Sequence, residues 1–227
     1  MRHLIPLLLL LPLSGWAGET VRVAVAANFK HTLEAISADF ESRYGHQVLL
    51  SSASTGVLYS QILHGAPFDI FFAADAETPA KLASASQTPQ CYARGSLVLA
   101  GGSADLHQLA DPTLSLAIAN PNTAPYGRAA LEVLARPEFA TASGRKLVRG
   151  SNVVQAFQFW YSGGVNLALV PRSLAAAAAP IPLAWYRPLE QHVIALRDSE
   201  AVTAYLNWVR SDSVRSLINN AGYEPCP

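Results

Sequence analysis

Two hydrophobic patterns alternate along the first third of the chain. Short apolar runs rich in Val, Ile and Phe occur at residues 21–27 and 69–75, and such runs are typical of buried strands. After the first run, apolar side chains recur every three or four residues from Phe29 to Tyr44 and stop at Gly45, which predicts an amphipathic helix. Repeated strand-to-helix units predict a mostly parallel sheet flanked by helices, with any ligand at the carboxyl ends of the strands. The predicted fold class is therefore α/β.

The same alternation resumes in the second half of the chain. Strands are predicted at 96–102 and 192–196, and the alanine run Ala175–Ala179 predicts a plain helix. We expect the chain to leave a first lobe near residue 97 and to return near residue 191, with a cleft between two lobes. The predicted divisions are lobe I (18–96 and 191–227) and lobe II (97–190).

Residues 1–17 have the pattern of an export signal. They combine a basic start, a leucine-rich apolar stretch, and Gly15 and Ala17 before the expected cleavage point. The alternative is a short buried helix, but two prolines inside the stretch disfavour it. We therefore expect a periplasmic protein, without a lipid anchor because no cysteine stands at the cleavage point.

Charge and length narrow the class of protein. The 227 residues include 16 Lys and Arg against 16 Asp and Glu, or 15 against 16 once the signal is removed. Nucleic-acid binding needs a basic surplus on one face, so we expect no nucleic-acid partner. The mature chain has no apolar run near the roughly 20 residues that a membrane span requires. With 51% hydrophobic residues, it is long enough for a substantial globular core.

The two cysteines, Cys91 and Cys226, matter because an exported protein meets an oxidising compartment. They could pair and close a loop worth up to about 5 kcal/mol in the chain-entropy model. The alternative is two separate buried thiols. Their spacing supports neither a metal site nor a redox motif.

Small and hydroxyl-bearing residues occur where predicted strands give way to helices. They include Asn28 and residues 54–56 in the first half, and the helix starts at residues 124–127 and 151–153 in the second. Each one alone is an ordinary helix cap. Their recurrence in both lobes predicts several free N–H groups facing one cleft, which suits an anion. No basic residue stands at these junctions, so the expected ligand is an oxyanion held by neutral donors.

Motifs for catalysis do not occur in the sequence. The six histidines have no metal-ligand spacing, and there is neither a GxSxG nucleophile turn nor a GxxxxGK[ST] phosphate loop. Asp69 and Asp75 flank a strand and are expected to be structural. A binding protein is therefore expected rather than an enzyme. An exported hydrolase with a Ser or Cys nucleophile and a purely structural exported domain are the alternatives.

Five segments carry a more specific signal. They are AANF (26–29), SSASTG (51–56), QILHGAPFDIFFAAD (61–75), IANPNTAPYG (118–127) and SNVVQAFQFWYSGG (151–164). Together, and in the same order over nearly all of the mature chain, they resemble the periplasmic molybdate/tungstate-binding proteins of ABC transporters. The resemblance implies a type II periplasmic binding protein fold, with two hinge strands joining the lobes. It also implies molybdate or tungstate as ligand, no cofactor, no catalysis, and a membrane permease as partner.

The resemblance also implies which residues of lobe I bind the oxyanion. Asn28 would donate through its N–H and its side-chain amide, with Ala27 contributing through its backbone. Thr55 would donate through its hydroxyl and its N–H, with Ser54 beside it. Sulfate or another tetrahedral oxyanion is the alternative ligand, since similar helix starts would hold it.

In lobe II, Tyr126 and Val153 fall on the binding positions, Val153 through its backbone N–H. One position departs from the family. Pro171 stands where some members have a binding tyrosine, and it offers neither an N–H nor a hydroxyl. The resemblance therefore implies that the hydroxyl of Tyr126 replaces that donor. Nothing in the sequence indicates an oligomer, so a monomer is expected.

Overall fold

The structure is a computed structural model that describes residues 18–85, 87–103 and 105–227. The predicted export signal at 1–17 lies outside the described residues. Within them, the strands are β1 (Thr20–Ala26), β2 (Gln47–Ala53), β3 (Ile70–Phe72), β4 (Gln90–Gly95), β5 (Leu97–Ala100), β6 (Leu116–Ala119), β7 (Leu147–Gly150), β8 (Leu167–Pro171), β9 (Ala179–Pro180) and β10 (Leu189–Ala195). The α-helices are α1 (Lys30–Tyr44), α2 (Thr55–Leu63), α3 (Glu77–Ala80), α4 (Pro125–Leu134), α5 (Val153–Tyr161), α6 (Glu200–Val209) and α7 (Asp212–Asn220).

The strands form two five-stranded mixed sheets, in the orders β2-β1-β3-β10-β4 and β7-β6-β8-β5-β9. In the first sheet β1 is parallel to β2 and β3, whereas β10 is antiparallel to β3 and β4. In the second sheet β6 is parallel to β7 and β8, whereas β5 is antiparallel to β8 and β9. The predicted α/β class is confirmed. We use the names lobe I and lobe II for the halves built on the first and second sheets.

Local sequence explains how the helices begin and end. Gly45 follows α1 with φ 72°, a left-handed conformation that glycine adopts without steric cost. Asn152 caps α5, because its side-chain oxygen accepts from the N–H groups of Val154 and Gln155. Ser199 caps α6 in the same way. Side-chain caps therefore fix the starts of α5 in lobe II and α6 in lobe I.

The cores show that the lobes are packed together. Phe29, Phe40 and Tyr205 are fully buried in the core of lobe I, between the first sheet and its helices. The core of lobe II also includes Ala27 and Ala74 from the strand ends of lobe I. The apolar contact is therefore continuous across the cleft.

The alanine run does not form the predicted helix. Residues 172–178 form turns, and Ala179 starts β9, which pairs with β5. A run of five residues is too short to nucleate a helix alone, and Pro180 biases the preceding Ala179 toward extended backbone. The predicted helix was therefore wrong.

Cys91 and Cys226 form a disulfide, with their Cα atoms 6.0 Å apart. The pairing predicted as one of two possibilities is confirmed, and the alternative of separate thiols is wrong. The bond ties the start of β4 to the segment that follows α7. Among the described residues, no helix has the length and apolar character needed to cross a membrane.

Candidate functional site

A small, narrow cavity lies between the lobes, at the strand-to-helix junctions. All six residues predicted to bind the ligand line it. The complete lining is Ala26, Ala27, Asn28, Ser54, Thr55, Ala74, Ala124, Pro125, Tyr126, Asn152 and Val153. None of these lining residues has a charged side chain. The structure therefore brings the predicted set together around an uncharged cavity to which both lobes contribute.

Four helix starts supply backbone donors to this cavity. Asn28 lies one residue before the cap of α1, Thr55 and Val153 are the first residues of α2 and α5, and Tyr126 is the second residue of α4. Their N–H groups have no hydrogen-bond partner in the described parts of the chain. The first N–H groups of a helix lack internal partners and carry partial positive charge. Two donors from each lobe are thus available to an anion.

Ser54 adds a side-chain donor that has no partner. Its residue is 4% exposed, and its hydroxyl makes no hydrogen bond with any described residue. It occupies the cap position of α2 without making a capping bond. A buried hydroxyl without a partner is costly and calls for an explanation. A bound acceptor in the adjoining cavity would satisfy it.

Thr55 can serve the protein and a ligand together. Its Oγ1 accepts a hydrogen bond from the N–H of Ala74 at 3.0 Å. A hydroxyl that accepts still has its own hydrogen to donate. Thr55 therefore offers two donors, its hydroxyl and its N–H, as expected from its hydroxyl side chain at a helix start.

Ala27 differs from the expectation. Its N–H donates to the carbonyl of Ala53 at 3.0 Å, which extends the pairing of β1 with β2 by one residue. That donor is already used within lobe I. Ala27 therefore lines the cavity without a free N–H.

The side chain of Asn28 also differs from the expectation. Its Nδ2 lies 2.8 Å from Oε1 of Gln191 and 3.2 Å from the hydroxyl of Tyr223, and donates to both. An amide nitrogen has two hydrogens to donate, so both have acceptors in the protein. What Asn28 can offer the cavity is its backbone N–H.

The hydroxyl of Tyr126 is not placed as the ligand donor that the resemblance implies. The hydroxyl accepts from Nε2 of Gln191 at 3.1 Å and lies beside Gly95, where an added Cβ would come within 1.9 Å of it. Burial raises the pKa of Tyr126 well above its ordinary value, so the phenol stays neutral. The hydroxyl thus belongs to a buried network at the junction of β4 and β5. As for Asn28, the backbone N–H is the group free for a ligand.

The lobes also touch beside the cavity. The N–H of Gly56 in lobe I donates to the carbonyl of Thr123 in lobe II at 2.8 Å. Asp75 accepts from the N–H of Thr78 at 3.0 Å and forms an ion pair with Arg128 of lobe II at 2.8 Å. Asp75 therefore has structural contacts of the kind expected for it. The structure is that of a closed cleft.

Sequence reasoning missed three residues of the network behind the cavity. Gln191, Tyr223 and Ser173 contact Asn28 from positions 163, 195 and 145 residues away in the chain. They carry no local motif, and only the folded contacts identify them.

Two α/β lobes closed on a small uncharged cavity define a two-lobed solute-binding protein. The sequence profile of the bacterial extracellular solute-binding proteins matches residues 21–224, and the chain belongs to this family. The predicted family resemblance is thus supported by an independent comparison.

Individual relatives agree. The chain is 36% identical to the molybdate-binding protein ModA of Azotobacter vinelandii over 224 residues, 89% of each chain. It is 33% identical to the molybdate-binding protein ModA of Rhodobacter capsulatus over 232 residues, 94% of this chain and 91% of that protein. These relatives are named as binding proteins, not as enzymes.

Solved structures give the same result. The periplasmic molybdate-binding protein of Azotobacter vinelandii matches with a TM-score of 0.81 at 33% identity, covering 91% of this chain and all (100%) of that one. The sulfate-binding protein SubI of Mycobacterium tuberculosis H37Rv matches with a TM-score of 0.75 at 15% identity, covering 91% and 87%. The second likeness shows a shared fold alone. The predicted two-lobed fold is confirmed.

Proposed function

We propose that this protein captures molybdate, or tungstate, in the cavity between its lobes and delivers it in the periplasm to an ABC-type permease. One observation carries the proposal: unpartnered N–H groups from helix starts in both lobes surround one small uncharged cavity. Relatives named as molybdate-binding proteins, 36% and 33% identical over most of the chain, identify the oxyanion.

Binding proceeds by closure in this proposal. The oxyanion first accepts hydrogen bonds from one lobe, and its remaining oxygens then accept from the other, which stabilises the closed form. The proposed donors are the N–H groups of Asn28, Thr55, Tyr126 and Val153, with the hydroxyls of Ser54 and Thr55. Hydrogen bonds to a charged group contribute about 1.5–3 kcal/mol each, so several such donors can hold a dianion without a basic side chain.

Discrimination against sulfate follows from size. Sulfate has the same charge and shape but is smaller, so donors fixed at helix starts would be left partly unpaired around it. Molybdate and tungstate are nearly equal in size and charge, and both are accommodated in this proposal. We further propose that the protein acts as a monomer and without catalysis. The cavity lining contains no carboxylate, histidine or thiol, and both cysteines are in the disulfide.

Titration calorimetry with molybdate, tungstate, sulfate and phosphate tests the function. Molybdate and tungstate should bind and raise the melting temperature, because a ligand that binds only the folded state stabilises it. Sulfate and phosphate should bind much more weakly. Tight sulfate binding with no molybdate binding would assign the alternative ligand. No heat and no thermal shift with any of the four would end the binding proposal.

A further inference from the structure

The segment after α7, residues 221–227, is attached to lobe I by several contacts. Glu224 and Arg94 exchange backbone hydrogen bonds of 2.8 Å in both directions, and their side chains form an ion pair at 2.8 Å. The disulfide of Cys226 holds the segment again two residues later. The ring of Tyr223 packs edge-on against Phe29, with centroids 5.3 Å apart. The position of Tyr223 is therefore fixed relative to the start of α1.

The hydroxyl of Tyr223 forms hydrogen bonds with one residue of each lobe. It donates to the backbone carbonyl of Asn28, a cavity residue, at 2.7 Å. The hydroxyl of Ser173 donates to the same carbonyl at 3.3 Å, and its oxygen lies 3.1 Å from the hydroxyl of Tyr223, from which it can accept. Tyr223 itself is 4% exposed and does not line the cavity.

Ser173 belongs to lobe II. It lies two residues after Pro171, the last residue of β8 in the second sheet. The turn at Gly222 approaches the same loop, since an added Cβ there would lie 3.5 Å from backbone atoms of Arg172 and Ser173. Opening of the cleft would move Ser173 with lobe II, whereas Tyr223 would stay with Asn28. The Ser173 contacts would therefore be lost on opening.

We propose that Tyr223 and Ser173 form a latch across the cleft that favours the closed, ligand-holding form. Tyr223 acts as a positioning residue, because it reaches the ligand only through the backbone of Asn28. The latch rests on the function proposed above, since it retains whatever oxyanion the closed cavity holds. Its loss shifts the equilibrium between open and closed forms, and so speeds ligand release more than it slows capture.

Three variants test the latch: Ser173→Ala, Tyr223→Phe and the double variant, with Tyr161→Phe as matched control because Tyr161 is 77% exposed. We expect Ser173→Ala to speed molybdate release about 3- to 10-fold, the range of one hydrogen bond, with an unchanged association rate and melting temperature. In the Tyr223→Phe background, Ser173→Ala should have a smaller effect, because the two residues share one bond. Release rates within twofold of the wild type in both single variants would overturn the latch.

A second measurement separates the latch from the choice of ligand. Distances between spin labels on exposed positions of the two lobes report open and closed populations with and without oxyanion. Ser173→Ala should enlarge the open population, whereas Tyr161→Phe should not; equal populations in all variants would overturn the latch. If the wild type binds sulfate and not molybdate, the proposed function fails, and the same release measurement with sulfate still decides the latch.

Discussion

Nε2 of Gln191 donates a hydrogen bond to the hydroxyl of Tyr126 at 3.1 Å. The same side chain accepts from Nδ2 of Asn28 at 2.8 Å and from the hydroxyl of Tyr92 at 2.9 Å. Gln191 is fully buried, so these contacts are shielded from water. It thereby holds the side chains of two cavity residues, one in each lobe, and leaves their backbone N–H groups for the ligand.

Tyr126→Phe tests whether the side chain of Tyr126 contacts only the protein while its backbone N–H binds the ligand. The change removes the hydroxyl that accepts from the buried Nε2 of Gln191, which should lower the free energy of unfolding by about 1–3 kcal/mol. Molybdate affinity should fall by less than tenfold, because the proposed donor is the N–H of Tyr126 and only one hydrogen bond between the lobes is lost. Urea unfolding and calorimetry measure the two quantities. A loss of affinity above tenfold with unchanged stability would instead assign the hydroxyl to the ligand.

Val153→Pro removes one backbone donor at little structural cost. Val153 is the first residue of α5, where proline fits and an N–H has no helical partner. The preceding Asn152 has φ −152° and ψ 179°, an extended conformation suited to a residue before proline. Molybdate affinity should fall about 10- to 100-fold, the value of one hydrogen bond to a charged group.

The matched control is Val153→Ala, which shortens the side chain and keeps the N–H. It should retain near wild-type affinity in the same calorimetric titration. Circular dichroism checks that α5 persists in both variants. Equal affinities for the proline and alanine variants would remove this N–H from the proposed donors.

Ser54→Ala removes the buried hydroxyl that has no partner in the described chain. Because no protein hydrogen bond is lost, stability without ligand should stay the same or rise slightly. Affinity for molybdate should fall about 10-fold or more, as for a lost hydrogen bond to a charged acceptor. A thermal melt without ligand and a titration measure the two effects. A drop in ligand-free stability with intact affinity would contradict this assignment.

Local patterns explain which features were predictable. Several strands and helix starts follow from hydrophobic periodicity and from small residues at strand ends, which the sequence displays directly. The six cavity residues are singled out among these junctions by the family resemblance. The functional atoms do not follow in the same way. Whether Asn28 offers its side chain or its N–H depends on Gln191 and Tyr223, which are 163 and 195 residues away. Likewise, the alanine run at 175–179 has high helix propensity. It does not form a helix, because it is short and a proline follows it.

The disulfide should stabilise the fold and, through the attached segment, the closed cleft. Cys91 and Cys226 are separated by 135 residues, and a loop of that length corresponds to about 5 kcal/mol in the chain-entropy model. Replacing both cysteines by serine should lower the urea midpoint strongly. It should also speed molybdate release, because the segment that carries Tyr223 loses one of its anchors. If the variant is less stable but releases molybdate at the wild-type rate, the disulfide stabilises the fold and does not affect closure of the cleft.

Alkaline pH should weaken the fold through its buried tyrosines. Burial raises the pKa of Tyr223 from its ordinary value of 10.0 to about 12, and it raises that of Tyr126 in the same direction. The folded state thus favours the neutral phenol. A raised folded-state pKa gives a stabilisation that is complete below pH 10 and is lost as the pH rises toward about 12.

The free energy of unfolding should therefore decline between about pH 10 and pH 12, by at most about 1.4 kcal/mol per pH unit for one phenol. Tyr223→Phe has no phenol to ionise at that position, so its decline over the same window should be shallower. Comparing the slopes of the two proteins cancels the titration of groups that both share. Urea unfolding at pH 8, 10 and 11 measures them. Parallel slopes would mean that Tyr223 ionises equally easily in the folded and unfolded chain, which would contradict its burial against Phe29.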